Sequence, residues 1–381
     1  MRIACISAST IPSRTANSMQ VMKVCQAYVD LGHEVELWLP GSNPKINPGE
    51  LASNYGLRTL FPMHWLITIP TLRKYDFAWR ALNHARAWKP DVIQVWPLQA
   101  AALSSRLGLP TILEMHDPPS GRFGPRLFRA FLEGKGARKL LPVTRALRDW
   151  LAEQYAVTLD DAFAPISPNG VDLSRYQELP EPEQARQQLG IPFRFTVGYC
   201  GHLYPGRGID LLFELARRNP QMQFLWAGGE EEALSLWEKR IEKERVSNLS
   251  LLGFMSNERL PLIQAACDVL LMPYEDQVYT SSGSETSRFA SPMKAFEYLA
   301  SGRAILSSDL PVLREVLNEG NAILLPPNDG NAWNRVLREL SEMPEVCRDM
   351  GRKAKQDSEA YTWVARAERA LHGLGDVQND G

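Results

Sequence analysis

Short apolar runs alternate with helix-length amphipathic stretches along nearly the whole chain, and this alternation constrains the fold more than any other feature. Ile3–Ser7, Val35–Leu39, Val92–Trp96 and Thr111–Met115 are too uniformly apolar for strands with one wet face. They read as strands covered on both sides, the property of parallel sheets, with helices expected near 17–31, 76–88 and 124–138. A second series follows in Phe195–Cys200, Gln223–Ala227, Leu249–Phe254, Asp268–Met272, Ala304–Ser307 and Ala322–Leu325. A chain of 381 residues is long enough for two cored domains, so two parallel α/β domains are expected. Turn formers bunch in Ala164-Pro-Ile-Ser-Pro-Asn-Gly170-Val and in the polar stretch 174–188, which places the junction near 168–192. There is no solenoid repeat. The Ser/Thr-rich segment 275–290 has no periodicity and reads as a mobile loop of the kind that forms functional lids, and the polar tail 375–381 as a frayed end.

Several function classes drop out early. After the first strand comes Ala8-Ser-Thr-Ile-Pro-Ser-Arg14-Thr-Ala-Asn17-Ser18, with no glycine and therefore no dinucleotide fingerprint. Gly201–Gly208 has the look of a P-loop, but Arg207 stands where Lys belongs and Gly208 where a hydroxyl must reach magnesium. The balance of 42 basic and 44 acidic residues gives no polyanion signal, so no nucleic-acid partner is expected. Five scattered cysteines and six scattered histidines make neither CxxC nor HExxH, so free thiols in a reducing cytoplasm and no metal site are expected. No membrane-length apolar run and no secretory-signal pattern is visible.

Ser291-Pro-Met-Lys-Ala-Phe-Glu297-Tyr-Leu-Ala-Ser-Gly302 carries the most chemistry. Pro292 is suited to open a helix, because the N–H it lacks would be unpaired there. A helix over about 292–301 leaves free N–H groups and a positive dipole end beside Ser291, a seat for phosphate. Lys294 and Glu297 lie three residues apart, so both face one bound molecule. Gly302 ends the helix. By itself the segment also fits an ordinary αβ unit with a solvent-facing Glu.

This segment closely resembles the donor-site helix of the retaining family-4 glycosyltransferases of GT-B fold, in the subgroup with Ser-Pro-x-Lys-x-x-Glu-Tyr. Gly32-His-Glu-Val35, Glu114-Met-His116-Asp117-Pro118, Pro168-Asn-Gly-Val-Asp172, Gly198–Gly208 and Tyr361-Thr-Trp363 follow the same family in order, over nearly the whole chain. The resemblance implies two facing Rossmann-like domains, about 1–170 for the acceptor and 171–360 for the donor. It also implies a final segment, 361–381, whose helix crosses back to the first domain. It implies a metal-independent hexosyltransferase that takes a UDP- or GDP-sugar as donor substrate and uses no cofactor. The acceptor would be a glycan or glycolipid of cell-surface synthesis.

Site residues follow by position. Arg207 and His202 fall where the family places the two cations that neutralise the leaving diphosphate. Arg207 offers a fork for phosphate oxygens, whereas His202 is only partly charged near neutral pH. His116, at a strand end, would contact the donor sugar; a lone His is otherwise more often structural. Glu297 would hold ribose hydroxyls, with Ser291, Met293 and Lys294 on the donor and Pro292 unable to lend an N–H. His116 and Arg207 are thus the expected catalytic pair. The family's first Glu is absent, Phe289 standing in its place. Asn17 and Ser18 have two readings, as donors to a ligand or as helix N-caps.

Residues 121–148 hold eight cations against the single acid Glu133, and 61–90 place Trp65, Trp79 and Trp88 among Arg73, Lys74, Arg80, Arg86 and Lys89. Such mixtures suit peripheral contact with an anionic membrane at its cytoplasmic face, and equally solvated helix faces with core tryptophans. Two rival functions stay open: a non-catalytic nucleotide-sugar-binding partner, and a GT-B-shaped sugar-nucleotide epimerase.

Overall fold

A computed structural model describes residues 1–72, 75–278 and 287–374. The chain divides into two compact units: Met1–Asn169 with the segment from Trp363 onward, and Gly170–Thr362.

Among the described residues the first unit is built on a six-stranded parallel sheet of order β3-β2-β1-β4-β5-β6. The strands are β1 (Arg2–Ile6), β2 (Glu34–Pro40), β3 (Met63–Leu66), β4 (Val92–Val95), β5 (Thr111–Met115) and β6 (Arg138–Pro142). Between them run α1 (Ala16–Asp30), α2 (Pro48–Tyr55), α3 (Tyr75–Ala87), α4 (Leu98–Arg106) and α5 (Gly124–Leu132), with α6 (Arg145–Tyr155) after β6. The second unit repeats the order as β12-β11-β10-β7-β8-β9. Its strands are β7 (Thr196–Cys200), β8 (Gln223–Ala227), β9 (Leu249–Gly253), β10 (Val269–Met272), β11 (Ala304–Ser308) and β12 (Ile323–Leu325). Its helices are α7 (Pro182–Leu189), α8 (Ile209–Arg218), α9 (Glu231–Glu244), α10 (Leu260–Ala265), α11 (Met293–Ser301), α12 (Gly330–Glu342) and α13 (Pro344–Ser358). The last helix, α14 (Trp363–Leu371), belongs to the first unit and packs on α1.

Both orders are those of a doubly wound Rossmann sheet, whose ligand crevice lies at the carboxyl ends of the strands where the winding reverses. In the second unit that point is the β7–β10 pair, with Val197 against Val269. The loops leaving β7 and β10, 201–208 and 273–278, are therefore neighbours.

Three expectations are corrected. The helix expected over 124–138 stops at Leu132, and residues 138–142 are β6. Gly134 and Gly136 break the helical run, and the strand accepts a lysine because Lys139 donates to the carbonyls of Arg369 and His372 at the end of α14. The run of cations over 121–148 is thereby split among a helix, a strand and a second helix. α11 begins at Met293, with extended Pro292 as its N-cap, whose carbonyl accepts the Ala295 N–H at 3.0 Å. Neither Asn17 nor Ser18 caps α1: Thr15 does, accepting the Ser18 N–H at 3.3 Å. Residues 279–286 of the expected loop, the tail 375–381, and Arg73 and Lys74 lie outside the described residues.

Candidate active site

The loop from β7 into α8 is shaped by glycines that touch backbone. A Cβ on Gly208, whose φ is +68°, would lie 1.8 Å from the Pro273 carbonyl oxygen, and one on Gly206 2.2 Å from that of Gln277. The Glu275 N–H donates to Gly206 O at 3.0 Å, so the two loops are tied together. Gly208→Ala is expected to cost a few kcal/mol, as non-glycine residues forced into this region with a clash do. Its unfolding midpoint in urea measures this, and an unchanged midpoint would contradict the packing.

Against this loop stands Lys294, on the first turn of α11. Its side chain is buried, with Nζ 3.7 Å from the Tyr199 ring centroid and 5.3 Å from that of Tyr274. A Cβ on Gly201 would come within 2.7 Å of the same nitrogen, so glycine leaves the room the amine occupies. Among the described residues that Nζ has no hydrogen-bond partner, a costly state for a buried amine. Burial, and then the neighbouring Arg207 guanidinium, hold the Lys294 amine well below its ordinary value of 10.5. Arg207 lies over the Tyr274 ring at 4.6 Å. The Arg207 guanidinium, the Lys294 amine and the N–H groups of Met293 and Lys294 on the first turn of α11 thus lie together at one helix start.

His202 belongs to the same loop but plays a different part. Its ring stacks on Tyr204 at 4.7 Å, and its carbonyl accepts from the Tyr199 hydroxyl at 2.6 Å. Burial, followed by the charges of Lys294 and Arg207, lowers its pKa below 6.5. Near neutral pH His202 is a neutral hydrogen-bonding group, and the second amine or guanidine group of the site beside Arg207 is the buried Lys294 amine.

One turn along α11, Glu297 is half-buried and pairs with Arg175, the nearest N–O distance being 4.0 Å. Arg175 is itself anchored to the Asn257 carbonyl, so the carboxylate points along a fixed direction. Ser291 lies half-buried just ahead of α11, and the Phe289 ring, where the family has its first Glu, carries the Arg288 guanidinium at 5.2 Å.

In the first unit, Glu114 and His116 sit at the end of β5. The buried Glu114 carboxylate takes the His116 ring Nε2 at 2.8 Å, Arg366 of α14 at 2.8 Å and Gln94 Nε2 at 3.3 Å, with Gln20 Nε2 donating as well. The His116 side chain is 32% exposed, so its other face is open. Of the residues at the start of α1, Ser18 is buried and its hydroxyl donates to the Ser13 and Thr15 carbonyls at 3.0 and 2.9 Å, whereas Asn17 is exposed. Ser18 has no donor left for a ligand; Asn17 has.

Sequence reasoning missed Tyr199, Tyr274, Arg175 and Arg366. Tyr199 lies near the end of β7 and Tyr274 just beyond β10, and Arg175 follows Asp172 of the mid-chain motif, but nothing local marks them as cation partners. Arg366 had a signal: it shares the apolar face of α14 with Trp363, Ala367 and Ala370. Among the described residues no three His, Cys, Asp or Glu side chains cluster as metal ligands would.

Comparison with known proteins bears on the whole arrangement. Residues 18–175 match the family described as Glycosyltransferase Family 4, and residues 182–357 match Glycosyl transferases group 1. The chain belongs to the GT-B glycosyltransferase superfamily. It is 28% identical over 203 residues to an alpha-galactosylglucosyldiacylglycerol synthase of Streptococcus pneumoniae, over 51% of this chain and 50% of that one. It is 25% identical over 236 residues to a 2-deoxystreptamine N-acetyl-D-glucosaminyltransferase of Streptomyces fradiae, over 55% and 56% respectively. This GT-B chain therefore spans about half the length of these curated relatives. The crystal structure of Anabaena Alr3699/HepE in complex with UDP shares its fold, with a TM-score of 0.74 at 17% identity, over 99% of this chain and all of that one.

Proposed function

We propose that the protein is a retaining hexosyltransferase moving a sugar from a nucleoside diphosphate donor, UDP- or GDP-linked, to an acceptor hydroxyl. The observation that carries this reading is the buried, unpartnered Lys294 amine, set with Arg207 at the free N–H groups of α11. A buried amine without a partner is expensive to charge, and a diphosphate is the partner whose charge and oxygens would hold its protonated form. Glu297, held by Arg175, takes the ribose hydroxyls, and His116 touches the transferred sugar. In the first unit, the exposed Asn17 at the start of α1 is the candidate for a substrate contact. In the reaction the anomeric C–O bond to the diphosphate breaks and the acceptor oxygen bonds to the same face of that carbon. The acceptor proton passes to the leaving diphosphate, whose charge the cations stabilise. Cations and helix N–H groups supply the neutralisation that a metal gives elsewhere, so no metal or other cofactor takes part.

UDP or GDP is therefore expected to raise the melting temperature in the presence of chelator. A shift seen only with magnesium overturns the metal-free reading. Release of nucleoside diphosphate only when acceptor is present separates a transferase from a binding partner, which would not turn over, and from an epimerase, which would alter free donor.

We further propose that the acceptor is a lipid-linked or cell-surface glycan met at an anionic membrane. Support comes from one side of the first unit, where Ile67, Trp79 and Phe123 are 72%, 60% and 46% exposed. Tyr75, Phe123, Leu127 and Ala130 line a cavity of about 310 Å³ with Arg106 and Arg126. The reading narrows with the structure: Trp65 donates to the Ile11 carbonyl and Trp88 lies under Arg2, leaving Trp79 as the exposed tryptophan of its stretch. Vesicles containing anionic lipid should bind the protein and release it at high salt, at about 1 kcal/mol per engaged cation. Equal partitioning onto neutral vesicles, or none onto either, argues for a soluble acceptor.

A further inference from the structure

The buried carboxylate of Glu114 has more partners than an ordinary structural residue needs, and one of them comes from the far end of the sequence. Arg366 rides on α14 and is 1% exposed. Its Nη2 lies 2.8 Å from Glu114 Oε1, and its Nε donates to the Pro168 carbonyl at 2.9 Å. The same Oε1 holds His116 Nε2 at 2.8 Å. The remaining ligands of the carboxylate, Gln20 and Gln94, are fixed in turn, since Trp96 Nε1 donates to Gln20 Oε1 at 3.1 Å and the Tyr28 hydroxyl to Gln94 Oε1 at 3.0 Å. Each member of this network has one orientation available, so the carboxylate cannot swing away from the imidazole.

We propose that Arg366 is a positioning residue for the transfer reaction, delivered by the returning helix and acting on His116 through Glu114. This rests on the proposed contact of His116 with the transferred sugar. The physical logic is that a carboxylate with no exposed surface needs a cation to stay ionised, and the ionised form, which only accepts, holds the Nε2–H far more strongly than a carboxylic acid that can also donate. Burial pushes the Glu114 pKa up, but the Arg366 charge, and then the His116 hydrogen bond, bring it below 4.5. With Nε2–H committed to Glu114, the ring presents Nδ1 as a hydrogen-bond acceptor on its open side. The other titratable groups facing this network are Tyr28 and Cys25 of α1, whose pKa values burial pushes up so that they stay neutral, and Cys5 of β1 beside them. No other cation compensates for the loss of Arg366 among these groups. The returning helix therefore has a chemical task besides packing.

The test compares Arg366→Met, Arg366→Lys, Glu114→Gln and His116→Ala in the full chain. Turnover is read with UDP-glucose or GDP-mannose, whichever shifts the melting temperature, and the His116 ring by its nitrogen resonances. Arg366→Met is expected to lower kcat at least ten-fold and to move the acid limb of the pH profile upward, because Glu114 then protonates more readily. Affinity for the nucleoside diphosphate, which the other unit binds, stays as in wild type. The His116 Nε2 signal should lose its single protonated form, and Arg366→Lys should restore limb and signal in part. Where Arg366→Met does not fold, Glu114→Gln carries the same expectation, with the acid limb lost. A folded variant of either kind with the wild-type limb and the wild-type ring signal overturns the inference. A ring that changes as expected while His116→Ala transfers sugar normally sinks the role given to His116, and the inference with it.

Discussion

Lys294→Met is expected to make the nucleotide-free protein more stable while weakening nucleoside diphosphate binding ten- to a hundred-fold. The wild-type amine is buried without a hydrogen-bond partner among the described residues, and the faces of Tyr199 and Tyr274 repay only part of its lost hydration. An unbranched apolar chain of similar length fills the same space, and such exchanges of buried charge have raised stability by roughly 1–4 kcal/mol. Binding moves the other way, because a charge-assisted hydrogen bond to phosphate, worth about 1.5–3 kcal/mol, disappears. The pH dependence separates this from a generic repacking effect. Since the folded-state pKa lies well below 10.5, the unfolded chain holds one proton more than the folded chain between the two values. Wild-type stability therefore gains from this group as pH rises through that window, and the penalty is fully present below it. The difference in stability between variant and wild type should accordingly be largest at low pH and shrink toward pH 10.5. A variant less stable than wild type at every pH would show that the amine has a partner in the free protein.

Fold and site were unequally legible. The strands that carry the switch points, Ile3–Ser7 and Val92–Trp96 in one unit and Phe195–Cys200 and Asp268–Met272 in the other, could be read because a parallel sheet buries both faces and leaves a near-continuous apolar run. β3 and β6 could not. β3 lies at a sheet edge with every residue half-buried, so neither an apolar run nor an alternation marks it. β6 opens with Arg138 and Lys139, and what lets a lysine into that strand is a pair of carbonyls more than two hundred residues away. Its environment is set by the return of the chain, which no local window contains.

The same distinction runs through the site. Lys294, Glu297 and Gly302 declared themselves because helix start, helix face and helix end are local properties. The depressed His202 was not visible, because its neutrality comes from burial and then from Lys294, ninety-two positions on. Ser18 looked available for a ligand and proves to be bound up in its own loop, while Thr15, two residues before Asn17, is the cap. Lone charges on buried faces are the one long-range clue the sequence does hold. Glu114 inside an apolar strand and Arg366 on the apolar face of α14 each demand a partner of opposite sign, and they find each other.

Arg207→Ala and Glu297→Ala should fail in different ways, and the difference tests the division of labour in the second unit. In the proposed site Arg207 would face the diphosphate, where charge grows as the sugar departs, so its loss should fall chiefly on kcat. Removing one such donor typically costs ~10²–10³ in rate, or about 3–4 kcal/mol. Arg207→Lys should recover part of this, since charge returns without the fork that matches phosphate oxygens. In the same proposal Glu297 would meet the ribose, whose hydroxyls have the same chemistry in ground and transition states. Its loss should appear as weaker binding of nucleoside diphosphate, on the order of 1–3 kcal/mol, with kcat little changed at saturating donor. Arg175 sharpens the comparison: Glu297→Ala strips it of its carboxylate, whereas Glu297→Gln keeps an acceptor for the ribose while removing the charge. Glu297→Gln should therefore bind more tightly than Glu297→Ala. If Arg207→Ala altered only donor affinity and Glu297→Ala only kcat, the leaving diphosphate would have to sit on the other side of α11, and the site proposed at its N-terminus would be wrong.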